Sequence, residues 1–124
     1  MFGRGKPKYI KQFQTDYTLK ERTQIANNIL YKYDNLIPVI IAPVNKDNIP
    51  QIRKNKFYVP RDNTTGCFMA QLRKHINISS ITSLFLFVGN NIVPMNSIMG
   101  MVYDKYKDTD KILYIEYCDQ ETFG

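Results

Sequence analysis

The order in which helix-like and strand-like segments alternate along this chain constrains its fold more than any other feature of the sequence. Residues 9–16 predict a short first helix, and a second helix begins at Thr18-Leu19-Lys20-Glu21. This T-x-x-E spacing is typical of a capping box, in which a hydroxyl and a carboxylate satisfy free backbone N–H groups. Spacings of three and four then predict one inward-facing stripe, made of Leu19, Arg22, Ala26, Ile29, Leu30 and Tyr33.

Two strands are predicted after this helix. Asp34-Asn35 indicate the end of the helix, residues 37–41 form a compact β-branched run, and residues 57–60 form a second run that ends at its proline. The intervening residues 43–56 are polar, and basic toward their end, which predicts a loop. We therefore expect the two runs to form a pair of strands.

A third helix and a third strand follow. Asp62-Asn63-Thr64-Thr65 indicate a turn and an N-cap for a helix that extends to about His75. Its predicted buried stripe is Phe68, Met69, Leu72 and Ile76. Residues 84–88 are apolar and too few for a helix, which is typical of a strand buried on both faces, and Gly89-Asn90-Asn91 suits a tight turn.

The last predicted elements are a short helix and a strand. Asn96-Ser97 predict the N-cap of a helix that carries Met99, Val102, Tyr103 and Tyr106, and residues 112–117 predict the final strand. The resulting order, helix-helix-ββαβαβ, predicts a small α+β roll with a helix on one face of the sheet. The segments are too short and too sequential for a doubly wound nucleotide-binding fold.

Composition limits the size of the domain and the class of its partners. The 124 residues, 44% of them apolar, suffice for one domain with a single core. Most of the net charge of +6 lies in residues 1–33, which carry seven Lys/Arg against two Asp/Glu. A basic segment of this kind can face acidic protein, anionic lipid or nucleic acid, or simply be solvated.

Cysteine usage and hydropathy predict the compartment. Two cysteines, Cys67 and Cys118, are too few for a disulfide framework, and the N-terminus has no apolar stretch typical of a secretory signal. We therefore expect a reducing, cytoplasmic environment. No apolar run approaches the roughly 18 to 20 residues that cross a bilayer, so any membrane contact is expected to be peripheral or covalent.

The end of the sequence has a chemical use of its own. Phe123-Gly124 follow the polar residues 119–122, which leaves a glycine α-carboxylate at the end of a short tail. A carboxyl group that is joined to an amine inside a narrow active site benefits from having no side chain and a mobile lead-in. The alternative interpretation is an ordinary frayed terminus.

Residues 17–124 resemble the ubiquitin-like autophagy modifiers, the family that includes the GABARAP-type proteins. The matching stretches are Leu19-Lys20-Glu21-Arg22, Tyr33-Asp34-Asn35-Leu36-Ile37-Pro38-Val39-Ile40, Lys56-Phe57-Tyr58-Val59-Pro60-Arg61-Asp62, Thr64-Thr65-Gly66-Cys67-Phe68, Leu72-Arg73-Lys74, Leu84-Phe85-Leu86-Phe87-Val88, Met99-Gly100, Leu113-Tyr114-Ile115 and Phe123-Gly124. The resemblance implies a ubiquitin-like β-grasp of the α+β class with two additional N-terminal helices. It divides the chain into a flexible leader (1–8), a helical pair (9–33), a β-grasp core (34–118) and a flexible conjugation tail (119–124).

The resemblance also implies a function. Members of this family are substrates and labels, not catalysts: the terminal glycine, here Gly124, is adenylated, passed through enzyme thioesters and joined to phosphatidylethanolamine. The implied partners are E1-like and E2-like enzymes, a deconjugating cysteine protease, the membrane surface, and receptors with aromatic-x-x-aliphatic motifs. No cofactor, metal or nucleic acid is expected. The expected location is the cytoplasm and, after lipidation, autophagosomal or other organelle membranes.

The family's receptor groove binds an extended peptide along the edge of the second strand, with an aromatic and an aliphatic side chain in two apolar pockets. The resemblance assigns the aromatic pocket to Ile25, Ile29, Pro38, Ile40, Lys56, Tyr58 and Ile112. It assigns the aliphatic pocket to Phe57, Val59, Pro60, Asn63, Phe68 and Gln71. Without the resemblance, most of these residues would be interpreted as ordinary residues of the core or of its edge.

Several positions depart from the family pattern. Asn63 and Gln71 replace residues that are usually aliphatic, so the second pocket is expected to be more polar and to hold Leu, Ile or Val less well. Leu36 replaces a basic residue near the groove, and Ala42-Pro43 replace an acidic-basic pair. We therefore expect a partner range that is narrower than, or shifted from, that of a typical member.

Four further side chains match functional positions of the family. Arg73 is expected either to pair with Asp62 and brace the third helix, or to contact the processing and conjugation enzymes at the groove. Phe85 and Phe87 match aromatic positions that conjugation enzymes use. Because side chains alternate along a strand, both are expected on one sheet face, where core packing is the usual role.

The sequence offers three alternative functions, and it argues against the first of them. Cys67 near a helix N-terminus and His75, the single histidine, would be an enzyme's nucleophile and base, but eight helical residues separate them by about 12 Å. A basic nucleic-acid module would use the lysines and aromatics of Lys6-Pro7-Lys8-Tyr9-Ile10-Lys11. A third possibility is an autophagy modifier that joins a protein lysine instead of a lipid.

Overall fold

The computed structural model describes residues 6–45 and 48–120. Residues 1–5, most of the predicted leader, and residues 121–124, which include Gly124, lie outside the described residues. The elements within them are α1 Lys8–Asp16, α2 Leu19–Lys32, β1 Leu36–Pro43, β2 Lys56–Pro60, α3 Thr65–Arg73, β3 Leu84–Val88, β4 Asn91–Ile92, α4 Met99–Tyr106 and β5 Leu113–Asp119. β5 starts one residue later and ends two residues later than the predicted final strand, residues 112–117.

One sheet of five strands organises the described residues, in the order β2-β1-β5-β3-β4. The expected pairing of the first two strands is confirmed, since β1 and β2 are antiparallel. β1 and β5 are parallel neighbours at the centre, and β3 is antiparallel to both β5 and β4. The two-residue strand β4 was not predicted; it pairs with β3 across a turn at Gly89, whose φ is +61°.

The sheet divides the apolar side chains into two clusters. Ile37, Val39 and Ile41 of β1 belong to the larger cluster, which also contains residues of α3. Ile40 and Ala42 belong to a smaller cluster with residues of α1 and α2. Since alternate residues of a strand point to opposite faces, β1 is buried on both sides. Composition predicted a single core, but the described residues form two apolar clusters. The second cluster lies between the sheet and the helical pair α1 and α2.

The start of α2 follows the predicted capping box. The Thr18 hydroxyl accepts a hydrogen bond from the Glu21 N–H at 3.1 Å, and the Glu21 carboxylate accepts one from the Thr18 N–H at 2.8 Å. The predicted inward stripe is only partly correct, because Ala26 is the buried residue of the helix while Leu19 and Tyr33 are exposed. Both exposed residues lie at the helix ends, and the middle of the helix supplies the buried contact.

The starts of α3 and α4 are stabilised in different ways. Thr64 caps α3 as predicted, since its hydroxyl accepts a hydrogen bond from the Cys67 N–H at 3.1 Å. The predicted cap of α4 at Asn96-Ser97 is wrong: the N-cap is Ile98, which has no side-chain cap bond. Backbone carbonyls of the segment after β2 accept the N–H groups at the start of α4 instead, at 2.8 Å.

The loop between β1 and β2 contributes to the core, although its polar sequence predicted an ordinary surface loop. Val44, Ile49 and Ile52 are all buried. Ile52 forms an isolated antiparallel bridge with Ile76, the residue predicted to end the buried stripe of α3. These three apolar residues, together with the hydrogen bonds from the Arg53 N–H to the His75 carbonyl and from the Tyr117 hydroxyl to the Pro50 carbonyl, hold the described part of this loop against the domain.

A buried ion pair joins the N-terminal helices to the rest of the domain. The Arg22 guanidinium donates from Nε to the Asp110 carboxylate at 2.9 Å. It also donates to the backbone carbonyl oxygens of Gln14 at 2.9 Å and of Tyr17 at 2.6 Å. One side chain of α2 thus fixes the C-terminal turn of α1 and the segment before β5.

Asp110 completes this network with two further hydrogen bonds. Its carboxylate accepts from the Ile112 N–H at 2.9 Å and from the Tyr114 hydroxyl at 2.5 Å. Burial raises the pKa of Tyr114 well above its usual value, and the hydrogen bond to Asp110 raises this pKa further.

Among the described residues, no helix is long and apolar enough to span a bilayer.

Candidate functional site

β2 lies at one edge of the sheet and, within the described residues, its ladder partner is β1 alone. An edge strand offers a row of backbone N–H and C=O groups to which an extended peptide can add. Its side chains alternate: Lys56 and Tyr58 are exposed, whereas Phe57 and Val59 are buried. The strand edge therefore has side chains for a partner on one face and core residues on the other.

The structure brings the predicted aromatic-pocket residues together on the α2 side of the sheet. Ile40 and Ile112 belong to one buried cluster, against which Ile25 packs. Ile29 lies one helical turn after Ile25 and is also half-buried. The remaining residues complete the buried base or the exposed rim, and they are Pro38, Lys56 and Tyr58.

Two residues that sequence reasoning missed belong to this side of the groove. The Lys56 ammonium lies 5.3 Å from the ring centroid of Phe13 and 6.0 Å from that of Tyr17. The two rings are 5.1 Å apart, and both positive-charge contacts are within the range of cation–π attraction. Phe13 in α1 and Tyr17 at its C-cap are four residues apart, and this spacing was the signal available in the sequence. α1 thereby fixes the position of the cation at the groove.

The predicted aliphatic pocket lies on the α3 side and has an apolar floor with a polar rim. Phe57, Val59 and Phe68 are buried, and the two phenyl rings meet edge-on at 5.7 Å. Pro60 and Asn63 are half-buried, and Gln71 is exposed. Because the floor residues are already packed against each other, an incoming side chain must displace them or rest on the polar rim.

Cys67 and His75, the two residues considered as a nucleophile and a base, lie at different places in the structure. Cys67 is exposed in the first turn of α3. The His75 ring packs against Phe57 at 5.6 Å, beside the Lys54 ammonium at 4.8 Å from the same ring. The histidine thus packs on an aromatic ring next to the aliphatic pocket, beyond the opposite end of α3 from Cys67.

The predicted pairing of Arg73 with Asp62 is wrong. The Arg73 guanidinium donates to the backbone carbonyl oxygens of Thr82 at 2.5 Å and of Ser79 at 3.4 Å. It therefore fixes the turn that precedes β3, because the C-terminal end of α3 lies beside this turn and not beside the end of β2. Arg73 also lines a cavity of about 350 Å³ together with Phe85, away from Lys56 and Tyr58.

The two phenylalanines of β3 differ in exposure. Phe87 is fully buried in the larger cluster, whereas Phe85 is half-buried and lines the cavity beside Arg73. Of the two, Phe85 therefore offers side-chain surface to a partner, while Phe87 is a core residue.

The chain leaves the described domain beside the start of β3. The Gln120 N–H donates to the Ser83 carbonyl oxygen at 2.9 Å, and Asp119 is the register partner of Leu84. Gly124, the predicted conjugation residue, lies four residues beyond Gln120 and outside the described residues.

The sequence has close relatives among known proteins. A sequence model described as "Autophagy protein Atg8 ubiquitin like" matches residues 21–124. The chain is 38% identical over 117 residues to Autophagy-related protein 8 of Dictyostelium discoideum, covering 94% of this chain and 96% of that protein. It is 40% identical over 112 residues to Autophagy-related protein 8B of rice (Oryza sativa subsp. indica), covering 90% and 94%.

Solved structures show the same similarity. The crystal structure of Trypanosoma brucei ATG8 superposes with a TM-score of 0.84 at 30% sequence identity, covering 90% of this chain and 97% of that one. Plasmodium falciparum Atg8, solved in complex with a Plasmodium falciparum Atg3 peptide, superposes with a TM-score of 0.75 at 34% identity, covering 85% and 93%. The α+β β-grasp with two N-terminal helices is thus confirmed, and the chain belongs to the Atg8 family of ubiquitin-like autophagy proteins.

Proposed function

We propose that this protein is conjugated through Gly124 to phosphatidylethanolamine and then recruits partners through the edge of β2. The observation that carries the proposal is the family match, which continues through the tail to Gly124. The complex of the Plasmodium falciparum relative with an Atg3 peptide supports an E2-like enzyme among the partners. An E1-like enzyme and a deconjugating cysteine protease complete the proposed set.

Conjugation to phosphatidylethanolamine would anchor the protein to a membrane. The Gly124 carboxyl group, activated by adenylation and carried as a thioester, forms an amide with the ethanolamine amine and releases the enzyme thiol. Two acyl chains then bury far more CH₂ groups, at about 0.8 kcal/mol each, than the single chain that binds only marginally. The unconjugated protein would be cytoplasmic, and the conjugate would reside on autophagosomal or related membranes.

Reconstitution with E1-like and E2-like enzymes, ATP and liposomes tests this proposal, with intact mass as the readout. We expect the mass of the protein to increase by that of phosphatidylethanolamine less one water. Liposomes without this lipid, and the variant Gly124→Ala, are the controls that stay unmodified. An adduct on a protein lysine would support the protein-conjugating alternative, and an unchanged mass where the Dictyostelium relative reacts would refute both.

The groove is proposed to bind extended peptides that carry an aromatic and an aliphatic anchor. Main-chain hydrogen bonds to β2 would supply affinity, and the base formed by Ile40 and Ile112 would receive the aromatic side chain. Lys56, held over the rings of α1, would attract acidic residues beside that anchor. Asn63 and Gln71 at the rim of the second pocket disfavour an aliphatic anchor, because burying their amides without partners costs free energy.

Titration of an aromatic-x-x-aliphatic peptide tests the pocket assignment. We expect Asn63→Leu combined with Gln71→Leu to tighten binding by about tenfold, equivalent to about 1.4 kcal/mol, because the rim becomes apolar. Tyr31→Ala, at an exposed position of α2 outside both pockets, is the matched control and should leave binding unchanged. Equal affinity of the double variant and the parent protein would remove the second-pocket argument.

A further inference from the structure

Apart from Leu19 at the start of α2, the large apolar side chains that are exposed among the described residues are sorted by type. The exposed tyrosines belong to α2, β2 and the helix junctions: Tyr17, Tyr31, Tyr33 and Tyr58. The exposed isoleucines and methionines lie in a different part of the chain, between residues 81 and 101: Ile81, Ile92, Met95 and Met101. An exposed tyrosine can hydrogen-bond to water through its hydroxyl. Aliphatic and thioether side chains cannot, so four of them exposed in one region indicate a surface that contacts another apolar phase.

These four residues lie around the β3–β4 hairpin, and we name the surface that they form the hairpin face. Ile92 and Met101 line a cavity of about 830 Å³ between β4 and α4. Ile92 and Met95 line the neighbouring cavity of about 350 Å³ beside Phe85. Both cavities share residues 92–94 in their linings, so the two depressions adjoin each other.

The chain leaves the domain at this same place. Ser83, which accepts the hydrogen bond from the Gln120 N–H, also lines the smaller cavity. Ile81, 88% exposed, lies two residues before Ser83 in the turn that Arg73 holds. The last described residue before the tail is therefore adjacent to the hairpin face.

The length of the tail limits how far the domain can lie from whatever is attached to Gly124. Gly124 lies four residues after Gln120, and a fully extended chain over these four steps spans about 14 Å. A bilayer joined to Gly124 would therefore be held within that distance of Ser83. Methionine side chains are flexible and polarizable, and they adapt readily to an irregular apolar surface.

We propose that the hairpin face lies against the lipid surface when the protein is anchored through its tail, with Ile81, Ile92, Met95 and Met101 in the interfacial region. The inference rests on the proposed function in that Gly124 is the point of attachment. Arg73 and Lys105 line the two cavities and suit anionic headgroups, while the nearby Asp104 carboxylate is paired with Arg61.

The sheet order gives this orientation a functional meaning. β4 and β2 are the two edges of the sheet, separated by four strand spacings or about 19 Å. With the β4 edge on the bilayer, the β2 edge and its groove face away from the membrane. An anchored molecule would thus present its docking strand to the solvent, accessible to partners.

The chain contains no tryptophan, which permits single-tryptophan reporters. Ile92 and Leu19 are each 51% exposed, so Ile92→Trp is the reporter for the hairpin face and Leu19→Trp is its matched control. Both would carry Cys67→Ser, since Cys67 is the exposed cysteine and Cys118 is buried. The thiol introduced by Gly124→Cys is then added across the double bond of a maleimide-headgroup lipid in liposomes. This attachment needs no conjugation enzyme, so its outcome is independent of the test of the proposed function.

We expect the Ile92→Trp emission to shift to shorter wavelength and to be quenched by brominated acyl chains after tethering, whereas Leu19→Trp keeps its solvent-exposed spectrum. Ile81→Ser together with Met101→Ser should reduce the quenching at position 92. Met101→Trp is a second reporter that keeps the test decisive if position 92 does not tolerate the larger side chain. Equal quenching at positions 19 and 92, or none at either 92 or 101, overturns the proposal.

Discussion

Asp110 is fully buried, and its carboxylate accepts hydrogen bonds from Arg22, Tyr114 and the backbone N–H of Ile112. A buried charge of this kind is tolerated because its partners replace the water that it loses. Removing one member of such a pair leaves the other charge buried without compensation, which is far more destabilising than losing an exposed pair. The same domain contains a suitable comparison in Arg61 and Asp104, a more exposed pair 2.6 Å apart.

We predict that Asp110→Ala lowers the free energy of unfolding by about 3 to 5 kcal/mol, because the Arg22 guanidinium loses its buried counter-ion. Asp104→Ala should lower it by less than about 1 kcal/mol. Urea unfolding at neutral pH, with equal slopes for the three proteins, measures both changes. Similar losses for the two variants would show that Asp110 does not hold the helical pair to the sheet.

The contacts around the candidate site could be predicted from the sequence only in part. The resemblance placed Ile25, Ile40 and Ile112 in one pocket, and the structure brings them together, since Ile25 packs against the buried cluster that contains the other two. The periodicity of α2 alone predicted a stripe that omits Ile25. The partner of Arg73 could not be predicted, because its acceptors are backbone carbonyls of a turn whose position depends on the fold. Backbone carbonyls leave no trace in the residue types of a sequence.

At the scale of elements, α4 is positioned by a close backbone approach at Gly100. A Cβ atom at this position would lie 2.9 Å from the Arg61 carbonyl oxygen, closer than real Cβ atoms come to a backbone atom. The Gly100 N–H donates to that same carbonyl at 2.8 Å. The absence of a side chain therefore allows the first turn of α4 to bond directly to the segment after β2.

We predict that Gly100→Ala lowers the free energy of unfolding by about 1 to 3 kcal/mol, the usual range for an overpacked position. Gly66→Ala is the matched control in α3, because its Cβ would meet its nearest neighbour at an ordinary 3.5 Å. Alanine has a helix propensity about 1 kcal/mol better than glycine, so the control should be neutral or stabilising. Thermal unfolding distinguishes the two, and a Gly100→Ala protein as stable as the parent contradicts the close-approach argument.

The elements themselves were predictable where their signals are local. α2 starts at a capping box whose two side chains are three residues apart in the sequence. The start of α4 was mistaken because its N–H groups bond to carbonyls of Arg61 and Asn63, more than thirty residues earlier. β4 has two residues and no periodicity, so only its pairing with β3 defines it as a strand.

At the scale of the whole molecule, buried phenols determine how stability depends on pH. Burial raises the pKa of Tyr114 and of Tyr117 above the ordinary value of about 10, and the hydrogen bond to Asp110 adds to the shift of Tyr114. A group whose pKa is raised in the folded state stabilises the fold below its unfolded pKa. This contribution is lost as the pH rises from that value through the folded pKa.

We predict that the free energy of unfolding is nearly constant from about pH 8 to about pH 10 and then falls as the pH rises further. Tyr114→Phe should make the fall shallower, because the unfolded chain then gains one phenolate fewer. Tyr31→Phe, at a position 84% exposed, should leave the slope unchanged. Urea midpoints measured across this pH range give the slopes, and identical slopes for Tyr114→Phe and the parent would contradict the prediction.

The central pair of the sheet joins the register positions Val39 and Leu113, so its two strands are far apart in the sequence and β1 is synthesised long before β5. On a ribosome, the helical pair and the β1–β2 hairpin emerge first, and they expose a strand edge that only β5 covers. Until β5 is synthesised, this uncovered edge of β1 is a site at which nascent chains can associate. Because residues 120–124 follow β5 directly, they are synthesised after every strand of the described sheet, and an enzyme acting on them would meet a domain that can already close.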